Sequence, residues 1–107
     1  MRKNPKYKVT IENQALEMFY EHIEFLAQVS YGVAYKLELS LKKARKNLTI
    51  NPFMYPFADE LDVPCIPLKT YRKCLFDERY KAIFLVEDNN VRIYAIIDTR
   101  MENKNLF

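Results

Sequence analysis

The chain has 107 residues, 17 lysines and arginines against 14 aspartates and glutamates, and a composition that is 50% hydrophobic and 14% aromatic. That length suits a single domain over residues 1–107, and the apolar content is too high for a disordered chain. Two cysteines, one histidine and one glycine exclude a disulfide framework, a His-based zinc site and a glycine-rich phosphate loop, and with it the common nucleotide-binding enzymes.

The basic start Met1-Arg2-Lys3-Asn4-Pro5-Lys6 leads into alternating residues, which is not the apolar run of a signal peptide. No stretch approaches the ~20 apolar residues that span a bilayer. The expectation is a soluble protein of the reduced cytoplasm, with no cofactor, metal, membrane contact or small-molecule ligand. Tyr7, Val9 and Ile11 then alternate with polar residues and predict a half-buried strand. Asn13 is placed to cap a helix running to about Gln28, with Ala15, Leu16, Phe19, Ile23, Leu26 and Val29 at helical spacing. Ser30 offers a second cap, and Ala34, Leu37, Leu41, Ala44 and Leu48 form the apolar stripe of a second helix. The joint Val29-Ser30-Tyr31-Gly32 is short, so the two helices form an antiparallel hairpin.

Prolines 52, 56, 64 and 67 make Asn51 to Pro67 a connecting loop, which Phe53, Tyr55 and Phe57 are expected to anchor to the core. Three β-like runs follow, Thr70 to Phe76, Tyr80 to Glu87 and Val91 to Asp98, with Asp88-Asn89-Asn90 as a tight turn. Met101 to Phe107 reads as a polar tail. The fold class is therefore α+β: an N-terminal strand and an antiparallel helical hairpin packed on a C-terminal antiparallel sheet. His22 falls within the first helix and reads as structural, and Cys74 as a small buried hydrophobe.

Although the formal net charge is only +3, the cations cluster. One group is Arg2, Lys3, Lys6 and Lys8; a second is Lys36, Lys42, Lys43, Arg45 and Lys46; a third is Lys69, Arg72, Lys73, Arg79 and Lys81. Ordinary surface pairs are available to some of them. Arg79 lies beside Asp77 and Glu78, and Arg92 faces Glu87 across the last turn.

Tyr71-Arg72-Lys73, then Arg79-Tyr80-Lys81-Ala82-Ile83-Phe84, then the run from Val91 to Arg100 resemble the RelE/ParE superfamily of toxins from type II toxin-antitoxin systems, which includes plasmid stabilization proteins. Tyr7-Lys8-Val9, Ser30 with Ala34, and Asn51-Pro52 with Met54-Tyr55-Pro56 are similar to the same profile in the same order. The resemblance implies a growth-inhibiting toxin neutralised by a short acidic antitoxin, which would dock as a helix along the hairpin or as a strand added to a sheet edge.

Two activities follow from that resemblance. A RelE-like ribosome-dependent endoribonuclease would use Arg72 and Arg100 to stabilise the phosphorane-like transition state on ribosome-bound mRNA. It would also need an acid and a base, yet where nuclease members carry His or Tyr this chain has Asp98-Thr99-Arg100-Met101-Glu102. Glu102, Asp98, Tyr80 and Tyr94 are the available substitutes. That departure favours the ParE-like branch, which inhibits DNA gyrase without cutting RNA. In either case Lys69, Lys73, Arg79, Tyr80, Arg92 and Asp98 are the residues expected to contact nucleic acid or target. A non-toxic nucleic-acid-binding domain is a further alternative.

Overall fold

The structure, a computed structural model, describes residues 7–99. The alternating segment forms β1 (Lys8–Ile11), and Val9 is its buried residue. Next comes α1 (Asn13–Val29), which buries Ala15 and Phe19 and packs Ile23 and Leu26 against the core. Asn13 is its first helical residue and not its cap. Glu12 takes the cap position in an extended conformation without a side-chain capping bond. The Glu12 N–H donates to the Ile93 carbonyl at 2.9 Å and its carboxylate pairs with Arg92 at 3.3 Å, so tertiary contacts fix the helix start. Val29 ends the apolar stripe of the sequence but lies in the last turn at the hairpin's tip, 80% exposed.

Ser30 alone joins α1 to α2 (Tyr31–Ile50). Its N–H donates to the Leu26 carbonyl at 2.8 Å, and its Oγ accepts from the Val33 N–H at 3.2 Å, so one residue closes one helix and opens the next. The joint is shorter than the four-residue turn suggested by sequence. Gly32 is helical, and a Cβ added there would meet only the Ser30 Oγ at 3.6 Å, an ordinary contact. Ala34, Leu37, Leu41, Ala44 and Leu48 are all buried, as their spacing requires.

After a 3-10 turn (Pro52–Met54) and the rest of the proline-rich segment come β2 (Arg72–Phe76), β3 (Tyr80–Glu87) and β4 (Asn90–Asp98). The strand order is β1-β4-β3-β2. The last three strands are antiparallel neighbours, and β1 adds to β4 in parallel, with Val9 opposite Val91, so the complete sheet is mixed. The β2–β3 turn holds Asp77 (φ 51°) and Glu78 (φ 63°) in the left-handed region, a conformation that costs a non-glycine residue about 1 kcal/mol or more. The Ser40 hydroxyl donates to Asp77 at 3.4 Å and ties that turn to α2.

Ile83 stands opposite Ala95 and Phe84 opposite Ile93, which leaves Tyr94 as an extra residue in β4. This bulge explains why Ile93 and Ile96, three positions apart, are both fully buried. The core lies between the hairpin and one sheet face, where Cys74, Phe76, Tyr80, Ala82, Phe84, Val91, Ile93 and Ile96 meet the helical stripes. Cys74 is buried, as expected. The proline-rich segment comes back over the opposite face, and Val63, Ile66 and Tyr71 line a recess there with Ile83, Tyr94 and Ala95.

Candidate functional site

Arg72, the first residue of β2, sits where the proline-rich segment meets the sheet edge. A bridge between Phe57 and Arg72, with the Ala58 N–H on the Tyr71 carbonyl at 2.8 Å and the Lys73 N–H on the Pro56 carbonyl at 3.0 Å, extends the sheet by one short irregular strand. This geometry carries the Arg72 guanidinium over two rings, 5.2 Å from the centre of Phe53 and 4.1 Å from that of Phe57. It also donates to the Tyr55 carbonyl at 2.6 Å. Two of the three expected loop anchors, Phe53 and Phe57, are therefore exposed at 52% and 39% and serve as faces for a cation. Tyr55 packs inward, edge-on to Phe84 at 6.0 Å, and Phe53 also meets the Tyr7 ring edge-on at 6.0 Å.

Lys73 and Lys81 lie on the sheet face away from the hairpin, because they alternate with the core residues Cys74 and Ala82. Both converge on Asp62, with Nζ–O distances of 2.9 Å for Lys73 and 2.6 Å for Lys81. Asp62 also accepts the Asp59 N–H at 2.9 Å. It is 6% exposed and Lys81 is 7% exposed. Burial by itself would raise the Asp62 carboxyl, but the bonds from Lys81, the Asp59 N–H and Lys73 outweigh it and hold the group well below the usual carboxylate range. This ion cluster, and not the aromatics alone, fastens the proline-rich segment.

The other expected site residues are dispersed. Lys69 is exposed in a left-handed loop conformation (φ 52°). The Arg79 carbonyl accepts from the Thr99 N–H at 2.8 Å and from its hydroxyl at 3.0 Å, closing the end of the sheet. Arg92 pairs with Glu87 at 3.5 Å across the last turn, as expected, and also reaches Glu12. Tyr80 and Asp98 stand opposite each other in the ladder, 1% and 7% exposed. Tyr80 stacks on Phe76 and meets the edge of His22 at 5.5 Å, which gives His22 the packing role its helix position suggested. Arg100, Glu102 and the tail from Met101 to Phe107 lie outside the described residues.

Between α2 and β2 runs a groove lined by Ser40, Lys43 and Asn47 from the helix, Tyr55 beneath, and Leu75 at the strand. Leu75 is 56% exposed. Burial, then the neighbouring Cys74, push the Tyr55 phenol up from 10.0 to about 12. A phenol raised on folding adds stability that is fully present below pH 10 and is lost as pH climbs toward 12. We expect Tyr55→Phe to flatten the decline in urea midpoint between about pH 10 and 12; an unchanged alkaline slope would contradict this placement of the hydroxyl.

Among the described residues no helix is long and apolar enough to cross a membrane, and no group of three His, Cys, Asp or Glu side chains is arranged to hold a metal ion. No protein-family model and no curated protein sequence matches this chain.

Proposed function

We propose that this chain is the toxin of a bacterial type II toxin-antitoxin module, acting in the cytoplasm in the ParE-like manner by binding DNA gyrase, and neutralised by a cognate acidic antitoxin. One observation carries the reading: the quoted motifs fall on successive elements in the order the resemblance implies. Tyr7 precedes β1 and Lys8-Val9 opens it, Ser30 caps α2, Pro52 to Met54 forms the turn that leaves it, Arg72 begins β2, and the run from Val91 to Asp98 lies in β4.

The state of the cations supports binding over cleavage. The Arg72 guanidinium lies over two rings and donates to a carbonyl, and Lys73 and Lys81 share the single carboxylate of Asp62. A group already paired with protein atoms would have to leave them before it could stabilise an incoming phosphate. The groove beside Leu75, lined by both Lys43 and Asp77, offers a place for an antitoxin segment laid along the β2 edge.

The test is induction of the chain by itself in a bacterial host. Growth arrest with an induced DNA-damage response and intact mRNA is the expected result, with growth restored by co-expression of the neighbouring open reading frame. Cleaved transcripts would assign the RelE-like ribonuclease instead. Unchanged growth would leave only a non-toxic nucleic-acid-binding domain.

A further inference from the structure

The outward side of the helical hairpin carries two strips of opposite charge. On α1, Leu16, Glu17, Tyr20, Glu21 and Glu24 share one face. On α2, Tyr35, Leu39, Lys42 and Lys46 recur at spacings of three and four and so share another. Tyr20 belongs to both surfaces, since it also lines the groove between the helices with Tyr35, Leu39, Lys42 and Arg45. The acidic strip and the basic strip are therefore contiguous, and Glu38 is the acidic exception in the groove. Between them lie large apolar side chains: Tyr20 is 49% exposed, Tyr35 63% and Leu39 45%.

An acidic partner would suit α2 and be repelled by α1, and a basic partner would meet the reverse. A partner that carries both signs side by side in mirrored order satisfies both helices. We infer that this partner is a second copy of the chain, docked hairpin to hairpin about a two-fold axis that runs along the helices in the plane of contact. That axis lays α1 of each copy on α2 of the other, so carboxylates meet ammonium groups twice over while the tyrosines and Leu39 are buried at the centre. A two-fold axis across the helices would instead stack α1 on α1 and α2 on α2, like charge on like. The inference is independent of the toxin reading, because it uses neither the β2 groove nor Arg72.

Analytical ultracentrifugation of the full chain and two charge-reversed variants tests it. The wild type should sediment as a dimer at low salt and dissociate toward 1 M salt, where the screening length falls to about 3 Å. Glu17→Lys with Glu21→Lys, and separately Lys42→Glu with Lys46→Glu, should each be monomeric while retaining the wild-type circular dichroism spectrum, since all four positions are exposed. Mixed one to one, the two variants should form a heterodimer, because each supplies the sign the other lost. A wild type that remains monomeric at about 100 µM, where a ~10 µM dimer would be mostly formed, overturns the inference. So does a dimer indifferent to both reversals, a mixture that fails to associate, or a monomer that uses Lys42 and Lys46 to hold an acidic peptide instead.

Discussion

Replacing Asp62 with alanine should destabilise the fold by about 3–5 kcal/mol, the cost of removing one member of a buried ion pair and leaving the other charge in place. Lys81, whose side chain is 8% exposed, loses its 2.6 Å contact with Asp62; the Lys73 side chain is 25% exposed and can turn to water. The pair itself is not the source of the whole effect, since two ions taken out of water recover their hydration cost only in part. The double replacement Asp62→Leu with Lys81→Met should therefore regain part of the loss. Urea denaturation of the three proteins gives the comparison, and an Asp62→Ala variant within 1 kcal/mol of wild type would show that Lys81 is satisfied without Asp62.

The same carboxylate gives the fold an acid limit. Its ordinary value is 3.8 and the folded value lies lower. Its contribution is thus fully present above about pH 4 and is lost as pH falls further toward the folded value. The wild type should lose stability over that range more steeply than the double variant.

Phe84→Ala should cost about 3–5 kcal/mol, because it empties a fully enclosed site. Phe84 is 0% exposed, meets the Tyr55 ring edge-on, and faces Ile93 next to the β4 bulge. Strands on both sides limit how far the cavity can collapse. Phe84→Leu keeps most of the volume and should lose less than half as much. Urea midpoints measure both, and equal losses would point to the aromatic edge contact, rather than filled volume, as the source of the effect.

Local periodicity made much of this fold legible. The five-residue stripe of α2, its cap at Ser30 and the three C-terminal strands all follow from residues close together in the chain, where spacing and capping chemistry act directly. Positions decided by distant residues were not legible. Glu12 displaces Asn13 as the cap of α1 because Ile93 and Arg92 hold it. The bulge at Tyr94 changes which residues of β4 face inward, and simple alternation gives no sign of it. The cations show the same limit. Sequence grouped Arg72, Lys73 and Lys81 as one basic cluster, but alternation sends Arg72 and the two lysines to opposite faces. Only the fold brings Asp62 beneath the lysines and Phe53 and Phe57 beside Arg72. A single aspartate in a proline-rich segment carries no local mark of that role.

The parallel pairing of β1 with β4 has a consequence for how the chain is made. Val9 pairs with Val91, so the first described strand depends on the last, and in the final strand order it has no other neighbour. The hairpin needs only contacts near in sequence, which form quickly. During synthesis, α1 and α2 can therefore be helical while β1 is still without its neighbour, held only by such contacts as the Tyr7 N–H on the Thr49 carbonyl. The sheet closes only once β4 has left the ribosome, and until then the apolar stripes of both helices face an incomplete floor.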